Sequence, residues 1–199
     1  SVISIGSCRF ISEMQGNERI FLDAAFAMAQ EAINNNEVPV GCVFVYKSEI
    51  IARGRNDVNR SKNPTNHAEM CALKQLEQWC LQTNQHIKEI LKETTLYVTI
   101  EPCIMCACAL YYLKLKRIVY GAANERFGGL GSVANREMYS SKHLIQIDAN
   151  VDKERAVKML KDFYDQQNPF CPLEKRKVKK PKNDARTNEQ IDLFSLFDV

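Results

Sequence analysis

Residues 95–110, T-L-Y-V-T-I-E-P-C-I-M-C-A-C-A-L, constrain this 199-residue chain more than any other stretch. Positions 95–100 are rich in β-branched and aromatic residues and stop short of Pro102, which predicts a buried strand. From 103 to 114 the composition turns to Ala, Leu and Met, as in helices. Pro102 is expected where that helix begins, because its missing N–H costs nothing there. Cys103 and Cys106 then lie one turn apart at a helix start, and their sulfurs can reach one point. The partial positive charge of a helix N-terminus favours thiolate over thiol. Two thiolates aimed at one point make half of a metal site. Taken alone, C-x-x-C reads as well as a pair of buried helix cysteines or a structural zinc site as it does as part of a catalytic metal site.

A third ligand is sought among His67, His86 and His143. Only His67 has a predicted helix start and an acid beside it, in H-A-E at 67–69; His86 and His143 read as surface residues. Residues two apart on a helix point about 200° apart, so His67 and Glu69 do not both bind one ion. The set read from the residues is Zn2+ held by His67, Cys103 and Cys106, with Glu69 close but unbound. Three protein ligands leave one position for water, as in catalytic rather than structural zinc sites. Two thiolates nearly neutralise the ion, so a neighbouring base is useful, and Glu69 can take the proton.

The rest of the chain reads as strands alternating with helices. An amphipathic helix is expected over 18–34, with Ile20, Phe21, Ala24, Ala25, Met28, Ala29 and Ala32 on its apolar face and three asparagines at its end. Strands are expected at 40–46 and 50–55, joined by Lys47, Ser48 and Glu49, then a polar loop over 56–66. Thr65 or Asn66 is expected to cap a helix over 67–80. After a polar link and the central stretch come a strand at 116–122, a Gly-rich loop at 124–135, a short strand at 144–147 and a helix at 152–167. The expected organisation is a lead-in over 1–17, one domain over 18–169 and a tail over 170–199. Such alternation implies a sheet covered by helices on both faces.

Eight cysteines do not indicate a disulfide scaffold here. The start lacks a basic segment followed by a long apolar run, and no run of 18 apolar residues exists to span a membrane. The expectation is an intracellular protein of nucleus and cytoplasm, with Cys42, Cys71, Cys80 and Cys108 as buried free thiols.

H-A-E followed about thirty residues later by P-C-I-M-C is the known signature of zinc nucleobase deaminases. The similarity is wider than that signature. E-V-P-V-G-C-V-F-V at 37–45, G-R-N at 54–56, H-A-E-M at 67–70, L-Y-V-T-I-E-P-C-I-M-C at 96–106 and V-Y-G-A-A-N-E-R-F-G-G-L-G-S-V at 119–133 resemble the tRNA adenosine deaminases. Among these, the chain most resembles the catalytic subunits of the eukaryotic heterodimeric enzymes. The resemblance implies an α/β fold, a three-layer α/β/α sandwich around a mixed five-stranded sheet of cytidine-deaminase type. It implies conversion of adenosine to inosine at the anticodon wobble position, in partnership with a catalytically inactive paralogous subunit. His67, Cys103 and Cys106 match the metal ligands and Glu69 the proton shuttle, the residue replaced in the inactive paralogue. Asn56, which from the residues alone reads as a loop cap, matches a contact to the target nucleoside. The backbone around Ala68 and Pro102 matches the wall against the base edge, and Val38 and Val40 suit the apolar side of an adenine-sized pocket. The loop at 124–132 matches one that flanks the substrate entrance. Two rivals are a deaminase of a free cytosine or guanine compound, and a zinc-stabilised tRNA-binding scaffold without chemistry.

Charge is concentrated near the C-terminus. Residues 174–182 carry six Lys/Arg against one Glu, and 183–199 carry four acids against one Arg. Lys175, Arg176, Lys177, Lys179, Lys180 and Lys182 read as a solvated tail, a nuclear import signal or a phosphate-contacting arm, and the resemblance adds weight to tRNA contact. Residues 191–199, I-D-L-F-S-L-F-D-V, are too apolar for a solvated tail and are expected to dock on the domain or on a partner. Lys175→Glu combined with Lys179→Glu is predicted to weaken tRNA binding and flatten its dependence on salt while leaving zinc content unchanged. Binding titrations over a salt series check this, and an unchanged slope removes the tail from the tRNA interface.

Overall fold

The structure is a computed structural model and describes residues 18–165. The expected lead-in, the last residues of the expected domain, and the tail with its basic and apolar segments lie outside the described residues. Among the described residues no helix is long and apolar enough to cross a membrane.

The first helix, α1 (Arg19–Asn34), buries Leu22, Ala25, Phe26, Ala29 and Ala32 at helical spacing. Its buried stripe is rotated from the expected one: Ile20 is 59% exposed, and Leu22 and Phe26 take the core positions. The helix ends in a Schellman turn. Asn36 adopts φ 56°, its N–H meets the Ile33 carbonyl, and the Glu37 N–H meets the Ala32 carbonyl. That turn drives Glu37 back into the protein, where it is fully buried.

Strands β1 (Gly41–Tyr46) and β2 (Glu49–Arg55) form a hairpin whose two-residue turn has φ 47° at Lys47 and 64° at Ser48. Both residues are left-handed, as in the turns whose twist matches paired strands, so Glu49 belongs to β2 and not to the turn. The loop that follows contains a short helix, α2 (Val58–Ser61), unforeseen in a polar stretch. Helix α3 (Ala68–Gln82) comes next, and the polar link carries a second unforeseen helix, α4 (Ile87–Leu91). Strand β3 (Thr95–Ile100), helix α5 (Ile104–Tyr112) and strand β4 (Arg117–Ala122) fall on the expected positions, with α5 shorter at both ends. After the Gly-rich loop a 3-10 turn (Arg136–Tyr139) leads to β5 (Gln146–Asp148) and α6 (Lys153–Asp165). Leu144, expected in β5, is exposed and precedes it.

The strands make one mixed sheet in the order β2-β1-β3-β4-β5. β1 is antiparallel to both β2 and β3, whereas β3, β4 and β5 are parallel. Both faces are covered, so the central strands are apolar throughout and their alternation separates two cores. Cys42, Phe44, Leu96, Val98 and Ile118 pack with residues of α3, α4 and α5. Val43, Val45, Tyr97 and Val119 point the other way and pack with α1 and α6. The result is an α/β/α sandwich. At the end of the sheet away from Cys103, Arg117 bridges Glu18 at 2.5 Å and Asp148 at 2.6 Å, and the Tyr97 hydroxyl donates to Glu18 at 3.2 Å. This network ties α1, β3, β4 and β5 together.

The cysteines and histidines depart in part from expectation. Cys42 and Cys80 are buried, but Cys71 is half-buried and Cys108 is exposed on the outer side of α5. His86 is exposed at the start of α4. His143 is half-buried, with its Nε2 2.7 Å from the Leu115 carbonyl oxygen. Gly54 of β2 lies directly beneath the first turns of α3, where an added Cβ meets Ala68 O and Ala72 N well inside contact distance. Gly54→Ala is predicted to force α3 off the sheet and cost about 1–3 kcal/mol of stability, the range for overpacking. Chemical denaturation of the purified variant checks it.

Candidate active site

Two helix starts meet at the carboxyl end of β3. His67 is the N-cap residue of α3, with extended backbone at φ −70° and ψ 162°. Cys103 is the N-cap residue of α5, with φ −65° and ψ 169°. Neither helix has a side-chain cap hydrogen bond. Thr65 and Asn66, the expected caps of α3, are engaged elsewhere: Thr65 with Asn63, and Asn66 with Ser61 and Lys74. Pro102 stands one residue before the cap, not in the first turn, because Cys103 takes the boundary position and Ile104 opens the helix.

His67, Cys103 and Cys106 have their ligand atoms within 4.8 Å of one another. The His67 Nδ1 lies 3.3 Å from Cys103 Sγ and 3.7 Å from Cys106 Sγ. Tetrahedral zinc with ordinary Zn–N and Zn–S bonds holds nitrogen and sulfur roughly 3.5 Å apart, so the spacing fits that ion. The electrostatics fit too. Contacts from Cys106 and His67 pull the Cys103 thiol down to about 4, and the bond to Cys103 together with burial pushes Cys106 up. Metal binding takes up both sulfurs as thiolates, so it displaces whatever proton they hold. The Cys103 contact also raises His67.

Glu69, in the first turn of α3, is 3% exposed and is not one of the three clustered ligands. Burial pushes its carboxyl up to about 7, opposed by a backbone hydrogen bond. His67 stands outside the helix as its cap, so it and Glu69 reach the same space from different backbone directions.

Above these residues opens a cavity of about 550 Å3. Val38, Val40 and Asn56 form one wall, Ile100 and Leu160 add apolar surface, and residues 124–127 form the opposite rim. Ala68 and Pro102 are buried and are not among its lining residues. The Asn56 N–H donates to the Val40 carbonyl at 3.0 Å, which brings these two predicted residues side by side. The Asn56 side chain donates Nδ2 to Glu37 Oε2 at 3.0 Å, while Glu37 Oε1 accepts the Arg60 N–H at 2.8 Å. A carboxylate only accepts, so Glu37 fixes which end of the Asn56 amide faces it.

The opposite rim is held by a second buried acid. Glu101 is 1% exposed and accepts the N–H groups of Asn124 at 2.9 Å, Leu130 at 2.9 Å and Ser132 at 3.2 Å, with the Ser132 hydroxyl as a further donor. Gly128 packs against this carboxylate so closely that a Cβ would overlap it. Neither Glu37 nor Glu101 was foreseen. Each sits beside a proline-containing strand boundary, in E-V-P and E-P, and an acid placed at the border of an apolar strand was the one available signal.

The fold and the donor set define a class, the zinc-dependent deaminases that act on nucleobases. Residues 15–122 match the family described as the cytidine and deoxycytidylate deaminase zinc-binding region. The chain is 49% identical over 177 residues to tRNA-specific adenosine deaminase 2 of Danio rerio, covering 86% of this chain and 80% of that one. It is 39% identical over 159 residues to tRNA-specific adenosine deaminase subunit tad2 of Schizosaccharomyces pombe, covering 79% of this chain and 39% of that one. A solved structure from studies of A-to-I editing by wobble-position tRNA deaminases superposes with a TM-score of 0.62 at 28% identity, over 71% of this chain and 99% of that one. The chain belongs to the tRNA-specific adenosine deaminase family.

The Glu101 clamp yields a prediction. Glu101→Gln replaces an acceptor oxygen with an amide that opposes the loop's N–H donors. It is expected to cost about 1–3 kcal/mol, the penalty for an unmet buried polar group. Amide exchange at Leu130 and Ser132 is expected to quicken relative to β3, which hydrogen-exchange measurements check.

Proposed function

We propose that this chain is the catalytic subunit of a tRNA deaminase and hydrolyses adenosine to inosine at the anticodon wobble position. The observation that carries this reading is the buried Glu69 carboxyl, set beside a three-ligand zinc site at the floor of a cavity of about 550 Å3. A scaffold has no use for an acid in that place.

The target adenine cannot be attacked while stacked in a duplex. An anticodon loop offers it unpaired, and the cavity receives it flipped out. Val38 and Val40 pack against the base and exclude water from its face. Asn56, its amide orientation set by Glu37, contacts the nucleoside. Zinc held by His67, Cys103 and Cys106 supplies Lewis-acid activation of water when bound. Glu69 Oε accepts a proton as water adds to C6 of adenine and delivers it to N1. A second transfer through Glu69, from the added hydroxyl to N6, lets the C6–N6 bond break. One water is consumed and one ammonia leaves. Ala68 and Pro102 act behind this wall through their backbone, which fixes the two helix starts.

The resemblance to eukaryotic catalytic subunits supports a heterodimer with an inactive paralogous deaminase, acting on tRNA in nucleus and cytoplasm. The basic residues from Lys175 to Lys182 serve as an arm on the tRNA body in this reading.

Glu69→Gln is predicted to lower inosine formation about a hundred- to ten-thousand-fold, the usual contribution of a general acid–base group, with zinc and tRNA binding retained. The check is inosine at the wobble adenosine of a tRNA, assayed with the chain alone and with its paralogous subunit. Activity from the chain alone removes the obligate partner. Absence of inosine from both wild-type preparations, with zinc and tRNA bound, removes the enzyme reading.

A further inference from the structure

The cavity suits a single nucleoside, but the proposed substrate is a polymer. The chain on either side of the flipped adenosine has to leave across the rim. On the rim next to α5 stands Phe127, 51% exposed, with the Arg126 guanidinium carbon 5.1 Å from its ring centroid. Both residues line the cavity, together with the partly exposed Ile104 and Met105.

The backbone beneath this ring is fastened on three sides. The Ile104 N–H, at the first turn of the metal-binding helix, donates to the Phe127 carbonyl at 2.9 Å. The Phe127 N–H donates to Asn124 Oδ1 at 3.1 Å, and Gly128 forms a bridge with Cys103. Glu101 holds both ends of the same loop. The backbone that carries the ring is therefore held at a fixed place relative to Cys103, although loops are commonly mobile.

We propose that Phe127 and Arg126 form a seat for a nucleotide flanking the target adenosine, the ring stacking on its base and the guanidinium meeting its phosphate. This rests on the RNA-substrate reading given above. The chemistry matches single-stranded nucleic acid in both parts. Exposed aromatic rings stack on unpaired bases, and arginine adds attraction for both π-systems and phosphate. Every base has a π-face, so the seat contributes affinity without choosing sequence at that position.

The test uses the full chain with its paralogous subunit and three anticodon stem-loop RNAs. One is intact, one is abasic immediately 5′ of the wobble adenosine, and one is abasic immediately 3′ of it. The readouts are Kd and, separately, inosine formation. Phe127→Ala is expected to weaken binding of the intact RNA about 5- to 150-fold, the range for loss of one base–aromatic stack. One of the abasic RNAs is expected to bind the wild type more weakly by a similar factor, and Phe127→Ala is expected to lose nothing further on that RNA. Phe127→Tyr, which keeps the ring, is expected to bind the intact RNA like the wild type. Zinc content is expected to be unchanged throughout. Independent, multiplying effects of the variant and both abasic sites would overturn the seat, as would a Phe127→Ala loss below about twofold, the outcome if the ring instead covers a protein partner. A lack of inosine from the wild type counts against the wobble reaction, while the Kd cycle still decides the seat.

Discussion

The whole site depends on the convergence of two helix N-termini. Helix α3 packs over β2 and β1, and α5 leaves the end of β3, so the sheet sets the distance between His67 and Cys103. Each residue is the cap of its helix, with extended backbone that turns its side chain toward the gap. Cys106 and Glu69 follow within the first turns. Thiolates and carboxylates gathered there meet two positive helix ends, which offset part of the repulsion among them. A shift of either helix along the sheet would separate ligands that come from different elements. Gly54 matters for that reason: it lets α3 lie directly on β2.

Two buried carboxylates turn this metal corner into a shaped cavity. Burying an acid is costly unless hydrogen bonds satisfy it. Glu101 gathers three backbone N–H groups and one hydroxyl, and Glu37 gathers one backbone N–H and the Asn56 amide. The Glu101 donors all come from the loop over 124–132, whereas those of Glu37 are Asn56, in the loop after β2, and Arg60, in α2. The acid does for the loop what a neighbouring strand does for a strand. Glu37 shapes one rim and Glu101 the other, so the two sides of the cavity are fixed independently. The Glu101 clamp and the Ile104–Phe127 hydrogen bond also link the rim to the metal-binding helix.

The division of labour across the sheet follows from the same geometry. The Arg117 network with Glu18, Asp148 and Tyr97 closes the end away from the metal corner, and His67, Cys103 and Cys106 cluster where β3 ends. The parallel β3–α5–β4 unit places a helix start at that end, so the His67, Cys103 and Cys106 cluster and the Arg117 network occupy opposite ends of the same strands.

The sequence by itself determined the strand–helix order, the span of β3, the two-sided burial of the sheet and the zinc donor set with its adjacent acid. These are local matters: side-chain periodicity, a proline at a boundary, and cysteines one turn apart. It also pointed to Asn56 through family resemblance and to Val40 as an apolar wall, and both line the cavity. Only the tertiary structure decided the rest. Thr65 and Asn66 look like caps in isolation, yet His67 takes that place because the helix start has to face Cys103. Helices α2 and α4 lie in polar stretches whose own pattern is weak: α4 is set by burial of Ile90 and Leu91, whereas α2 buries no residue and is tied to the domain through the Arg60 N–H on Glu37. Glu37 and Glu101 stand near prolines at strand borders. Their donors lie 19 to 31 residues away along the chain, so their burial and their hold on the cavity rims arise only when the loops fold back over the sheet. Local chemistry is written in neighbouring letters, whereas the satisfaction of a buried charge is a property of the closed structure.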